Sequence, residues 1–84
     1  MGELAKLPNI GKKVEEQLLQ AGVNTPAELI ELGSRKTFER LMTIDESSCI
    51  NKLYALEGAI QGIRWHHLHE EEKKALKEYY LSLK

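Results

Sequence analysis

One cysteine, two prolines and six glycines are all that these 84 residues contain of the usual structure-breaking or cross-linking residues. A single cysteine cannot close an internal disulfide, so a reducing, cytoplasmic compartment is expected. No apolar run approaches membrane-spanning length, and no membrane partner is expected. The start Met1-Gly2-Glu3-Leu4 lacks the basic and apolar regions of a signal peptide, and Lys6 stands where myristoylation wants Ser or Thr. Charge of one sign is also missing: 12 Lys+Arg face 13 Asp+Glu, for a net −1. That balance gives no overall attraction for nucleic acid, so any electrostatic footprint must be local. Length bounds the rest. A chain of this size is one domain, 1–84, burying roughly 60–65 % of its unfolded surface around one core, with little room for an enzyme cleft.

What is present is helical periodicity. The composition is 42 % hydrophobic and 30 % charged, as in an ordinary folded globule. Apolar positions recur at helical spacing throughout, and no segment alternates with period two. The spacing predicts an all-α, compact five-helix domain. The first helix spans about Gly11 to Ala21, with Val14, Leu18 and Leu19 inward, and Gly22 stops it. Thr25-Pro26-Ala27-Glu28 has the residue types of a capped start for a second, short helix ending at Gly33. Ser34 can cap a third helix through about Met42, burying Phe38, Leu41 and Met42. A fourth begins after Ser47 or Ser48 and runs to about Ile63, with Leu53, Leu56, Ile60 and Ile63 inward. Its small residues Ala55, Gly58, Ala59 and Gly62 predict close approach by another helix of the same domain. Trp65 and Leu68 anchor a connector. The last helix opens on Glu70, Glu71 and Glu72, where the helix dipole favours negative charge. It turns Leu76, Tyr79 or Tyr80, and Leu83 inward. Glu70–Lys74 and Lys74–Glu78 can pair on its surface.

One segment suggests chemistry. Leu7-Pro8-Asn9-Ile10-Gly11-Lys12-Lys13 is a tight turn feeding a helix start. Asn9 and Gly11 readily take positive φ, so the backbone can bend sharply. Such a turn leaves backbone N–H groups converging at a helix N-terminus, where anions bind. Asn9, Ile10, Gly11 and Lys12 would offer amides, Lys12 and Lys13 would offer charge, and Ile10 would plug the turn into the core. The alternative is a stiff corner with no ligand. Arg35, Lys36 and Arg40 either extend a basic patch or form a solvated helix face. His66, His67 and His69 could suggest a metal, but their spacing rarely converges within ~2.1 Å of one zinc. Cys49 with a histidine and Asp45 could be drawn as a nucleophilic site. A cysteine on the apolar side of a helix start is more often buried and inert. Trp65, Tyr54, Tyr79 and Tyr80 could stack on bases or simply pack.

Leu7 to Val23, with its Leu-Pro-x-Ile-Gly-Lys-Lys turn and Leu18-Leu19-x-Ala21-Gly22, resembles a helix-hairpin-helix motif. That motif usually has glycine where Asn9 stands and a small residue where Glu15 stands. Asparagine tolerates the left-handed region, but a carboxylate at 15 would weaken phosphate contact or demand different packing. A wider set of residues carries a more specific likeness. Gly22-Val23-Asn24-Thr25, Leu32-Gly33, the block Leu53-Tyr54-Ala55-Leu56-Glu57-Gly58-Ala59-Ile60 with Gly62-Ile63 and Trp65, and Leu68 with Glu70-Glu71-Glu72-Lys73 join the turn. Together they resemble the C-terminal domain of TfoX/Sxy-type competence regulators over nearly the whole chain. The turn is also similar to that of the RNA polymerase alpha C-terminal domain, and the fold implied is related to such SAM-like helical domains.

The resemblance implies a bacterial, non-catalytic module of transcription control, linked to DNA uptake. Two functional expectations follow. The first is weak, sequence-independent contact with the backbone of double-stranded DNA through residues 9–13, combined with a transcription-related protein or a separate TfoX N-terminal-type domain as partner. The second is a protein–protein adaptor or homodimer with no nucleic-acid role. No convergent nucleophile and base suggest an enzyme, and no cofactor or metal is expected.

Overall fold

A computed structural model describes residues 3–45 and 48–83. Their regular structure is helical throughout, with no strand among the described residues. The helices are α1 (Lys12–Gln20), α2 (Pro26–Leu32), α3 (Ser34–Ile44), α4 (Ile50–Gln61) and α5 (Glu70–Ser82). A 3₁₀ turn, Leu4–Lys6, precedes α1, and a second, Trp65–His67, lies between α4 and α5. The all-α, five-helix reading therefore holds. The arm on the N-terminal side of the hairpin, however, is among the described residues only that single 3₁₀ turn.

Helix ends follow from local chemistry. Gly22 takes φ +87°, and its N–H donates to Leu19 O at 3.1 Å while Val23 N–H donates to Leu18 O at 2.9 Å. These paired bonds satisfy the last carbonyls of α1, and the left-handed residue that permits them is most easily glycine. At the start of α2, Thr25 Oγ1 accepts the Glu28 N–H at 3.2 Å. The Glu28 carboxylate returns to the Asn24 N–H at 3.2 Å, and Pro26 occupies the first turn without losing a needed bond.

Two boundaries differ from the sequence expectation. Gly33, not Ser34, caps α3, because one residue suffices to join α2 to α3. Ser34 is instead the first helical residue, buried, and its Oγ donates to Glu57 Oε1 at 2.6 Å. Cys49, not a serine, caps α4, with no side-chain cap bond. Ser47 as a cap lies outside the described residues, as do Met1 and Gly2. Cys49 is exposed rather than buried, since the cap position precedes the apolar stripe.

Helix α4 is central, packed against α2, α3, α5 and the Trp65–His67 turn, while α3 also receives α1 and α2. Leu18, Leu29, Phe38, Leu41, Leu53, Leu56 and Leu76 are fully buried between them. Each such side chain contributes about 1.5–3 kcal/mol relative to exposure. Exposed i,i+4 ion pairs contribute roughly 0.2–0.5 kcal/mol, so burial decides the fold. The pairs expected on α5 do not close: Glu70, Lys74 and Glu78 are exposed, and the ion pair among the described residues is Asp45–Lys52 at 3.7 Å. Lys52 Nζ also donates to Gln17 Oε1 at 2.8 Å and Ser48 Oγ at 3.2 Å. This cluster pins the α3–α4 loop to α1.

The small-residue face of α4 receives no helix at Gly58. A Cβ there would stand 2.6 Å from Asn9 Nδ2, 2.8 Å from Ile63 O and 3.1 Å from Trp65 Cα. The occupant is the side chain of the N-terminal turn, together with the chain folding back after Gly62.

Two stability predictions follow from this packing. Gly58→Ala should destabilise the protein by about 1–2 kcal/mol in denaturant unfolding, because overpacking costs more than the roughly 1 kcal/mol of helix propensity gained. Gly11→Ala is the control: a Cβ there has nothing within 4 Å, so only the cost of alanine at the N-cap of α1, about 0.5 kcal/mol, should appear. Thr37 is fully buried and its hydroxyl has no partner among the described residues. Thr37→Val, which keeps the branched shape, should leave stability unchanged or raise it by up to about 1 kcal/mol in the same assay.

Candidate nucleic-acid interface

The turn at residues 7–11 is built around Asn9. Its φ is +70°, the one positive value on a non-glycine residue among those described. Asparagine bears this conformation better than most side chains, as expected from the sequence. The side chain does more than tolerate it. Nδ2 donates to Ile63 O at 2.9 Å and to Ala55 O at 3.4 Å, while Oδ1 accepts the Trp65 N–H at 3.2 Å. Two carbonyls and one amide of the α4 end thus meet the donor and acceptor halves of one carboxamide. Glycine, usual at this place in the hairpin motif, could make the bend but none of the bonds. Ile10, only 5 % exposed, plugs the turn into the core.

The outward side of the turn carries free donors. Ile10 N–H is used internally, donating to Leu7 O at 3.3 Å. The first amide bond of α1 runs from Glu15 N–H to Gly11 O at 2.9 Å. The Lys12 and Lys13 amides therefore precede the helical ladder and, like that of Gly11, have no acceptor among the described residues. Gly11, Lys12 and Lys13 are all exposed. Glu15 does not screen them: it is 7 % exposed and its Oε2 accepts the Ala5 N–H at 3.2 Å. The carboxylate thus secures the Leu4–Lys6 turn against α1.

Asn9 also brings two stretches of sequence together. Residues 4–14 contain Lys6, Lys12 and Lys13 and no carboxylate, and residues 58–69 contain Arg64 and three histidines and no carboxylate. Lys6, Arg64, His66, His67 and His69 are exposed. A chain with net −1 therefore carries cations without carboxylates on the two segments that the carboxamide joins. Lys6 and Arg64 escape the sequence reading because segment charges average over acidic helix faces. The signal that finds them is the run of positions without Asp or Glu.

Other candidate residues lie elsewhere. Arg40 Nη1 donates to Ala21 O at 3.3 Å, at the opposite end of α1 from the turn. Arg35 stacks over Tyr79, 5.7 Å from the ring centroid. Lys36 borders a shallow depression with Leu32, Glu39 and Thr43. These three do not extend the turn's patch. Asp45 is engaged by Lys52 and Gln17, and Cys49 starts α4 whereas the histidines follow its end. The drawn Cys–His–Asp site is not assembled. Among the described residues no three His, Cys, Asp or Glu side chains group to hold a metal, and no helix is long and apolar enough to cross a membrane. His66 instead stacks on Trp65, with ring centroids 4.1 Å apart.

This architecture, a helical domain whose N-terminal hairpin is latched onto its central core helix, has close counterparts. The TfoX C-terminal domain model matches residues 1–80, and the chain belongs to that family. An uncharacterized protein from Listeria monocytogenes, in a triclinic crystal form, superposes with a TM-score of 0.94 at 52 % identity, over 95 % of this chain and 91 % of that one. A protein of unknown function from the same organism, in a tetragonal form, gives 0.92 at 51 % identity over 95 % and 99 %. No curated protein matches the chain significantly.

Asn9→Gly keeps the bend and deletes the latch. Each intramolecular hydrogen bond contributes about 0.5–1.5 kcal/mol net, so the variant should lose about 2 kcal/mol. Thermal unfolding should show this as a fall in Tm of roughly 10 °C for a domain of this size.

Proposed function

We propose that this domain is a non-catalytic regulatory module that holds nucleic-acid phosphates at its N-terminal hairpin and works with a protein partner. The observation that carries the reading is the set of exposed Gly11, Lys12 and Lys13 amides without internal acceptors, flanked by two lysine side chains. Convergent N–H groups at a helix start favour an anion, and the ammonium groups lengthen their reach. The contact is to the backbone and conveys no sequence preference. Asn9 supports it by fixing the turn before a ligand arrives, which lowers the ordering cost of binding. Family membership supports a role in transcription control of DNA uptake. It makes a TfoX N-terminal-type domain or a transcription-related protein the expected partner.

An adaptor or homodimer without nucleic acid is the second reading. Its support is the exposure of Ile30, Ile44 and Leu81, at 56 %, 39 % and 55 %. These stand singly on α2, α3 and α5, a pattern common on surfaces without partners, and the hairpin reading is preferred.

Titration of a short labelled duplex at low and moderate salt tests the preference. Binding should weaken steeply as salt rises, and Lys12→Glu/Lys13→Glu should reduce affinity at least tenfold and flatten the log–log salt slope by about 2. Salt-insensitive binding, or an unaffected double variant with intact helical circular dichroism, would reject the phosphate contact. Self-association in sedimentation equilibrium, with no duplex bound, would favour the adaptor.

A further inference from the structure

We infer that the Trp65–His66 pair is a base-stacking platform beside the hairpin, and that it takes an unpaired base from a single-stranded stretch of the nucleic acid the hairpin holds. The inference rests on the proposed phosphate contact for the position of the strand, and on the aromatic geometry for the recognition of an unpaired base.

Trp65 is half-buried and its ring runs nearly parallel to two others. Tyr54 lies 5.7 Å away at 16°, and His66 lies 4.1 Å away at 25°. Tyr54 comes from α4, whereas His66 is the next residue in the chain and is exposed. An exposed side chain is ordinarily free among rotamers. Here the imidazole lies flat on the indole, and its backbone is held as well: Lys73 Nζ donates to His66 O at 3.3 Å and stands 5.8 Å from the Trp65 centroid. The result is a flat, pre-ordered aromatic surface open to solvent and bordered by a cation. Histidine and tryptophan rings of this kind stack bases through the π-face that every base presents. Bases inside a duplex have both faces covered, so only an unpaired base can use the platform.

Its location makes the pairing with the hairpin concrete. The Trp65 N–H is bonded to Asn9 Oδ1 at 3.2 Å, so the residue that shapes the phosphate turn also fixes the backbone of the platform. Arg64, exposed, immediately precedes the pair in sequence. A strand whose phosphate rests on the Gly11–Lys13 amides can therefore lay a neighbouring base on His66.

Fluorescence anisotropy of equal-length deoxyuridine, abasic and uridine strands, read beside the emission of the single tryptophan, tests this with the full chain. The deoxyuridine strand should bind about tenfold tighter than the abasic one and change Trp65 emission. His66→Ala should abolish that difference, and His66→Phe should restore it. Lys12→Glu/Lys13→Glu should weaken all strands alike. A uridine strand binding tighter than deoxyuridine also supports the platform and assigns the strand to RNA; the reverse order assigns it to DNA. Equal affinity for base-bearing and abasic strands, or an inert His66→Ala, overturns the platform even where the lysine variant still shows phosphate contact. An inert lysine variant with the base effect intact overturns the phosphate contact instead.

Discussion

One carboxamide holds the N-terminal turn to the rest of this molecule. The Asn9 side chain lies against the backbone of α4 at Gly58 and satisfies groups of Ala55, Ile63 and Trp65. Every part of that contact depends on another. The positive φ of Asn9 points the amide at the helix, the missing Cβ of Gly58 admits it, and the fold-back after Gly62 brings the Ile63 carbonyl and the Trp65 N–H within reach. Ile10 then sinks into the core behind it. Without the carboxamide the turn would be held by the apolar contacts of Leu4, Leu7 and Ile10 alone, with nothing to orient its backbone against α4.

The same contact sets the electrostatics of the surface. Acidic residues of α1 and α5 cancel the lysines in any count along the chain, and the exposed Glu16 stands one helical turn from Lys12 on the same side of α1. Glu15, which lies nearest in sequence to the exposed amides, is turned toward the Leu4–Lys6 turn and bonded there. Within residues 4–14 and 58–69, the two stretches that Asn9 joins, the exposed charged side chains are Lys6, Lys12, Lys13 and Arg64. A protein of net −1 can thus offer an anion a local welcome, at the weak, salt-sensitive strength expected of a few lysines and amides.

Much of this is legible in the sequence alone. The five helices, the Gly22 stop, the Thr25–Glu28 cap and most of the core follow from 3.6-residue spacing and from residues whose local chemistry dominates. The turn at 7–13 is visible for the same reason, because asparagine bears the positive φ that Asn9 takes; Gly11, expected to share it, is instead extended at φ −93°. The misses are long-range. Asn9 reads as a conformational substitute for glycine, since nothing in its neighbours announces a partner more than 50 positions away. Gly58 reads as a helix-packing residue, because a small side chain shows that something comes close and not what. Ser34 reads as a cap because its destination, Glu57, sits on a different helix. Gln17 and Lys52 pass unnoticed because a polar cluster between helices leaves no periodic trace. Cys49 reads as buried because the cap position and the apolar stripe differ by a single residue.

The separation of Asn9 from its partners, 54 residues to Ile63 and 56 to Trp65, bears on how the surface comes into being during synthesis. The bend is made before the segments that steady it. A nascent chain that ends before Gly62 already owns every amide of the turn but nothing to set their direction. The settled direction of those amides is thus a late product of folding, waiting on the segment that follows Gly62.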